Sequence, residues 1–262
     1  FSDVYTAADL IYIVNSTREN EGVWNSLITG FDKTFIRENR WKLIAEGVGI
    51  TLLISICATV LGTAIGFGLY MLRRSQIGLV VKITGLAAGI YSRIIAGTPT
   101  VVILMILFYV VFGKVDISGV IVAIITFALT FGASVYENMV VSVEGVDKGQ
   151  SEAAYALGYS RNRTFFRIVL PQSMRAFMPV YSGEVVSLIK GTAVVGYIAV
   201  NDLTKMGDII RSNTYEAFFP LIATAVIYFM ITWLMALTLD IVRKRTEPKR
   251  RKREHILKGV DV

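Results

Sequence analysis

The sequence predicts an all-α integral membrane protein with five transmembrane helices. Three observations predict it. Hydrophobic residues fill 54% of the 262 positions and charged residues only 18%, where a soluble domain carries about 25%. The apolar residues gather into five runs of helical length, separated by polar stretches. Lys and Arg concentrate in every second connection between runs, the bias of a chain threaded back and forth across a bilayer.

The elements follow in order. Residues 1–46 form a mixed segment in which Asp3, Asp9, Arg18, Glu19 and Glu21 exclude a span. From Val23 to Trp41 the apolar residues Val23, Trp24, Leu27, Ile28, Phe31 and Phe35 recur at helical spacing. With Trp24 and Trp41 beside the first span, they predict an interfacial helix; a small soluble cap is the alternative.

The first span, 47–72, carries no charge and is long enough to cross a core of about 30 Å with some tilt. Gly62, Gly66, Gly68, Ala58 and Ala64 give it small surfaces for close helix packing, and Arg73 and Arg74 end it. Residues 79–95 are apolar but include Lys82 and Arg93, and predict a short amphipathic helix. Thr98-Pro99 starts the second span, 100–112, which a tight turn at 113–118 joins to the third, 119–141, with Glu137 near its end. Residues 142–177 are a polar loop. The fourth span, 178–200, is interrupted by Glu184 and Lys190; 201–217 is a polar connection; the fifth span is 218–242. The apolar membrane domain is therefore 47–242, followed by a basic tail, 243–262.

Charge sets the expected orientation. Lys and Arg number four in 73–97, five in 142–177 and nine in the tail, against one in 113–118 and two in 201–217. Alternation along five spans puts the three basic regions in the cytoplasm and the N-terminus outside, against the five Lys and Arg of residues 1–46. A basic tail directly after a span reads as an anchor on anionic membrane lipid rather than as a nucleic-acid contact.

The polar loop has an internal design. Asp147 followed by Gln150 is a capping-box-like helix start. Ala153, Ala154 and Ala156 favour helix and keep it slim. Gly158 supplies a stop, Ser160 a cap for a second helix, and Pro171 an end to that helix or the start of the next. A slim, rigid helix held at the membrane surface fits a groove on a partner. On spacing alone an ordinary helical loop is the simpler reading.

Glu152-Ala153-Ala154, then Gly158, then Ile168 and Leu170-Pro171 resembles the EAA loop of ABC-importer permeases, which in that family docks into the ATPase subunit. Gly97-Thr98-Pro99, Gly149-Gln150-Ser151-Glu152, Leu170-Pro171-Gln172, Gly183-Glu184 and Lys190-Gly191-Thr192 are similar to the polar amino acid subfamily (His/Glu/Gln/Arg-type), so that about residues 46–242 are covered. Ala96, Val140, Gly183, Gly191 and Ala193 stand where that subfamily usually has other residues, which leaves the substrate's identity open. The resemblance implies a type I importer (MetI-like) fold whose loop 142–177 carries the cytoplasmic coupling helix. ATPase coupling would fall to Gly149, Gln150, Glu152, Ala153, Ala154, Leu157 and Gly158. The implied function is a permease subunit moving a polar amino acid inward across a bacterial inner membrane. The implied partners are ABC ATPase subunits, a second permease copy or paralogue, and an extracytoplasmic solute-binding protein. The start at Phe1 adds the expectation that a solute-binding domain was fused upstream.

The sequence contains no Gly-x-x-x-x-Gly-Lys-Ser/Thr stretch, so this chain lacks a Walker A phosphate cradle and ATP is expected to be used by the partner. One cysteine, Cys57, and one histidine, His255, leave a histidine-based metal site or triad short of residues. No enzyme and no cofactor bound by this chain are expected.

Charges within spans face a cavity or the bundle interior. Glu184 and Lys190 lie about 240° apart around a helix, so each needs a partner elsewhere. Both line or gate a path for a zwitterionic solute, with Thr192 adding a hydroxyl, or Lys190 pairs with a carboxylate on a neighbouring helix and only fixes packing. Thr98 and Pro99 expose backbone to the path or simply turn the chain, the turn being the simpler reading. Glu137 lies near the cytoplasmic end, where snorkelling or capping suits it. The competing function is an ion-coupled secondary transporter or channel gated by Glu184 and Lys190, which would not need the 147–171 loop; a non-transporting membrane scaffold is a third.

Overall fold

A computed structural model describes residues 23–74 and 78–246. The stretch before Val23 and the basic tail from residue 247, His255 included, lie outside the described residues. All regular structure among the described residues is helical.

Helix α1, Val23–Phe31, runs through a wide π turn at Asp32–Ile36 and a 3-10 turn at Arg37–Asn39 into α2, Trp41–Arg73. The chain turns at Glu38 and Asn39, whose φ angles are 57° and 54°. Arg40 secures the turn by donating to Lys33 O and Glu38 Oε2. The helix expected over 23–41 is thus bent, and α2 starts six residues ahead of the apolar run. Lys42 and Glu46 shorten the apolar part of α2 without breaking its backbone.

α2 packs along its length on α5, Gly119–Glu144, and the two run parallel. Gly66 makes this approach possible: a Cβ there would lie 2.5 Å from Gly132 O and 2.7 Å from Val135 Cβ. Between them in sequence come α3, Gly78–Gly97, and α4, Thr100–Met105, extended by a π turn at Ile106–Val111. The chain bends by 107° between α3 and α4. Pro99 lacks an N–H and holds Thr98 out of helical conformation, so the break falls where the sequence put a turn.

Beyond α5 come α6, Lys148–Ala156, and α7, Arg161–Thr164. α7 continues through a π turn at Phe165–Val169 into α8, Leu170–Gly191, and a 3-10 extension at Thr192–Ile198. Pro171 does not end a helix here: it sits in the first turn of α8, where a missing N–H costs nothing. α8 therefore begins eight residues ahead of the expected fourth span.

The stretch read as a polar connection, 201–217, contains α9, Leu203–Thr214. Leu203, Met206, Ile210 and Thr214 are buried on one face while Arg211 is exposed on the other. Half its surface being polar, it lacks the hydropathy of a span but has the period of an amphipathic helix. Asp202 caps it, accepting from Thr204 N at 3.1 Å and Lys205 N at 3.0 Å. Tyr228 OH donates to the same carboxylate at 3.2 Å, and Leu203 N donates to Thr51 Oγ1 at 3.1 Å. These bonds tie α9 to α2 and to the last helix, α10, Phe218–Thr246.

Among the described residues three helices, α2, α5 and α10, are long and apolar enough to cross a membrane, and the number rises to five where each of two bent helix pairs is counted as one span. The core lies where α2, α5 and α8 meet, around Ile54, Ala58, Phe127, Phe131, Met139 and Ile189.

Candidate functional site

Two places gather the residues of interest: the loop after α5 and a cavity in mid-bundle.

In the loop, Asp147 Oδ1 accepts from Gly149 N at 2.9 Å and starts α6, a cap worth about 1 kcal/mol. Ala154, only 2% exposed, is the side chain that seats α6 on the Phe165–Val169 turn. Gly149, Gln150, Glu152, Ala153 and Gly158 are exposed, and Leu157 shows 78% of its surface. Gly158 ends the helix at φ +81°, a conformation that glycine alone adopts without strain. Its N–H donates to Tyr155 O at 2.9 Å, and Tyr159 N to Ala154 O at 3.0 Å. Ser160 then caps α7. A groove of about 680 Å³ runs between α6 and the end of α5, with Glu144, Lys148, Glu152 and Tyr155 on its walls.

The loop is fastened to the first span. Arg74 donates to Asn162 Oδ1 at 3.1 Å and Arg161 O at 2.8 Å, and its guanidinium lies 4.1 Å from the Phe165 ring centroid. Burial lowers the pKa of this group, yet a guanidinium stays charged at neutral pH. Next to it, Arg73 donates to Tyr136 OH at 3.0 Å and lies 3.6 Å from Glu144. Arg74 thus cross-links the loop to the end of α2, and Arg73 ties α2 to α5.

The mid-bundle cavity, about 180 Å³, is bounded by α4, α5 and α8. Glu184 and Ser187 enter from α8, Thr130 and Ser134 from α5, Thr100 from the start of α4, with Phe127 and Phe131 as its apolar walls. Glu184 is half-buried and, among the described residues, has no hydrogen bond or ion pair. Its unpaired carboxylate lies among hydroxyls that both donate and accept.

The other residues singled out in the sequence lie outside this lining. Thr98 and Pro99 form the bend just before Thr100. Glu137 is exposed on α5. Lys190 is exposed and does not pair with Glu184. Thr192 is fully buried, its hydroxyl donating to Ile189 O at 2.8 Å. Conversely, Thr100, Thr130, Ser134 and Ser187 were not singled out. Their signal was available: hydroxyls one turn apart at 130 and 134, and one turn beyond Glu184 at 187, within apolar runs.

Comparison with known proteins places this architecture. Residues 77–252 match the family described as the inner membrane component of binding-protein-dependent transport systems. A putative glutamine transport system permease protein of Rickettsia typhi is 32% identical over 206 residues, covering 77% of this chain and 92% of the relative. A probable amino-acid ABC transporter permease protein of Bacillus subtilis is 32% identical over 203 residues, covering 77% and 88%. The crystal structure of an amino acid ABC transporter with histidines superposes with a TM-score of 0.70 at 28% identity, over 80% of this chain and 98% of that one. A methionine ABC transporter in an inward-facing conformation shares the fold, with a TM-score of 0.63 at 18% identity over 79% and 97%. The chain belongs to the inner membrane components of binding-protein-dependent transport systems, the non-catalytic permease subunits of ABC importers, whose ATPase is a separate subunit.

Proposed function

We propose that this permease imports an amino acid, that its 147–158 loop grips the ATPase in the cytoplasm, and that the solute passes the Glu184 cavity. The observation that carries the reading is the form of α6. It presents Gly149, Gln150, Glu152, Ala153 and the nearly bare Leu157 outward, while Ala154 is buried beneath it and the Arg74 cross-links hold the adjoining α7 to the end of α2. An apolar side chain so exposed at a polar end fits a partner's groove, and the cross-links pass a displacement of the loop into α2 and α8. The three basic-rich connections support a cytoplasmic loop and an outside N-terminus. Curated relatives named for glutamine and for amino acids support the solute class. A solute-binding protein then delivers from outside, and a second permease copy or paralogue completes the path; exposed Val102, Ile106 and Val110 on α4 give an apolar face for such packing. ATP is bound and hydrolysed by the partner, with no cofactor on this chain.

The test is uptake of labelled amino acids into proteoliposomes containing the permease, its ATPase and its binding protein, with and without ATP. Gly158→Val should insert normally and lose most uptake, because valine is strained at φ +81° although the space around it is open. Uptake that runs on an ion gradient without ATP would overturn the reading.

A further inference from the structure

We infer that the cavity between the 3-10 extension of α8, α9 and the start of α10 holds the headgroup of an anionic phospholipid. The inference goes beyond the import reading and does not depend on it. The cavity, about 490 Å³, falls within the roughly 300–1,000 Å³ of small-molecule pockets. Its two sides differ. α9 brings Lys205, Asp208 and Arg211, two cations and one anion, while Ala193 and Tyr197 of the 3-10 extension and Leu221 of α10 form an apolar side. A lipid has the same division into a charged head and an apolar chain.

The charges do not balance. Arg211 Nε donates to Asp208 Oδ1 at 3.0 Å, so these two neutralise each other. Lys205 is left over: among the described residues its ammonium has no ion pair or hydrogen bond. Its stem is nevertheless seated. A Cβ at Gly196 would lie 3.6 Å from both Cβ and Cδ of Lys205, so the lysine rests on the bare backbone of that glycine. A packed stem with a free head is the snorkelling geometry of a lysine at a membrane boundary. One cation beside a neutral pair favours a headgroup of single negative charge, as in phosphatidylglycerol. Phosphatidylcholine brings a cation of its own and gains less.

The depth also fits. A Cβ at Gly207 would collide with Thr224 Oγ1 and lie 3.7 Å from Pro220 O. The cavity therefore sits beside the first two turns of α10, which begins at Phe218. α10 is apolar enough to cross a membrane, and none of its most apolar stretch is buried within the chain. The first turns of such a helix lie where headgroups meet acyl chains. Leu221, Ala225 and Phe229 follow at four-residue spacing and are exposed, which gives the acyl chain an apolar track leading away from the cavity.

The test is native mass spectrometry of the purified permease–ATPase complex, titrated with phosphatidylglycerol or with phosphatidylcholine of the same acyl chains. The wild type should bind phosphatidylglycerol more tightly. Lys205→Ala should weaken its tightest adduct about tenfold or more and leave phosphatidylcholine unchanged. Lys205→Arg should retain the adduct, and so should Lys114→Ala, which removes an exposed lysine on the 113–118 turn. Leu221→Gln should weaken the adduct through its chain. Equal binding of the two lipids, or a tightest adduct that survives Lys205→Ala, would overturn the inference. Displacement by inorganic phosphate at the concentration of the lipid would assign the cavity to a soluble anion and overturn it too. If Lys205→Glu splits the complex into half-transporters on size exclusion, a second permease copy fills the cavity and the lipid is excluded. Uptake enters none of these readings, so their failure leaves the import reading standing.

Discussion

The most apolar stretches of α5 and α10 have the same mean hydropathy, 2.0, yet 56% of that stretch in α5 is buried inside the chain and none of that in α10. Apolar content reports the solvent a helix lives in, not its neighbours. In a bilayer, lipid tails satisfy leucine as well as another helix does, so packing is decided by how closely backbones approach. α5 meets α2 through Gly132 and Ala128 opposite Gly66 and Gly62. α10 instead turns Phe229, Trp233 and Leu234 outward, each more than half exposed. The buried helix is the one with small residues, and the outer one carries the bulk.

That contrast can be broken at its strongest point. Gly66→Leu should give the largest effect, since even the first added carbon collides with the α5 backbone. Overpacking of this kind costs about 1–3 kcal/mol or more, and the protein should lose its monodisperse peak on size exclusion in detergent. Asp202→Ala should come next. It removes the α9 cap and the acceptor for Tyr228, for a loss of about 2 kcal/mol seen as earlier thermal unfolding; an unchanged melt would mean α9 is held by its apolar face alone. Arg74→Ala should cost about 1 kcal/mol in stability but lower uptake per ATP hydrolysed in the reconstituted transporter more than that figure implies, because it frees the loop from α2. Leu234→Ala on α10 should be the smallest, under about 0.5 kcal/mol. A larger loss there would show that another protein helix, rather than lipid, covers that face.

Much of this was legible before the structure. Long, nearly charge-free runs placed α2, α5 and α10, because every backbone group in a bilayer must be satisfied within its own helix. Thr98-Pro99, Asp147 and Gly158 were readable as breaks and caps since each acts through its own backbone chemistry. α9 escaped because a hydropathy criterion sees its polar half and not its period. Pro171 left two readings open, because proline at a helix start and proline past a helix end look alike in sequence, and the structure takes the first. The cavity was half legible: Glu184 stood out as a charge in a span, but Thr100, Thr130 and Ser134 join it only through the fold, from helices far apart in sequence. Gly66 was visible as a small residue, while its partner at Gly132 was not.

The helical run from Arg161 to Ile198 has one further consequence. At 1.5 Å per residue it is about 57 Å long, with Glu184 about 35 Å along it. Tilted as one piece, the stretch would act as a lever whose short arm is the loop and whose far tip is Ile198. A tilt of about 5° at Arg161 would swing Ile198 by about 5 Å, close to one helical turn's rise. A modest push on α6 would thereby be geared up, with the Glu184 carboxylate carried on the moving arm.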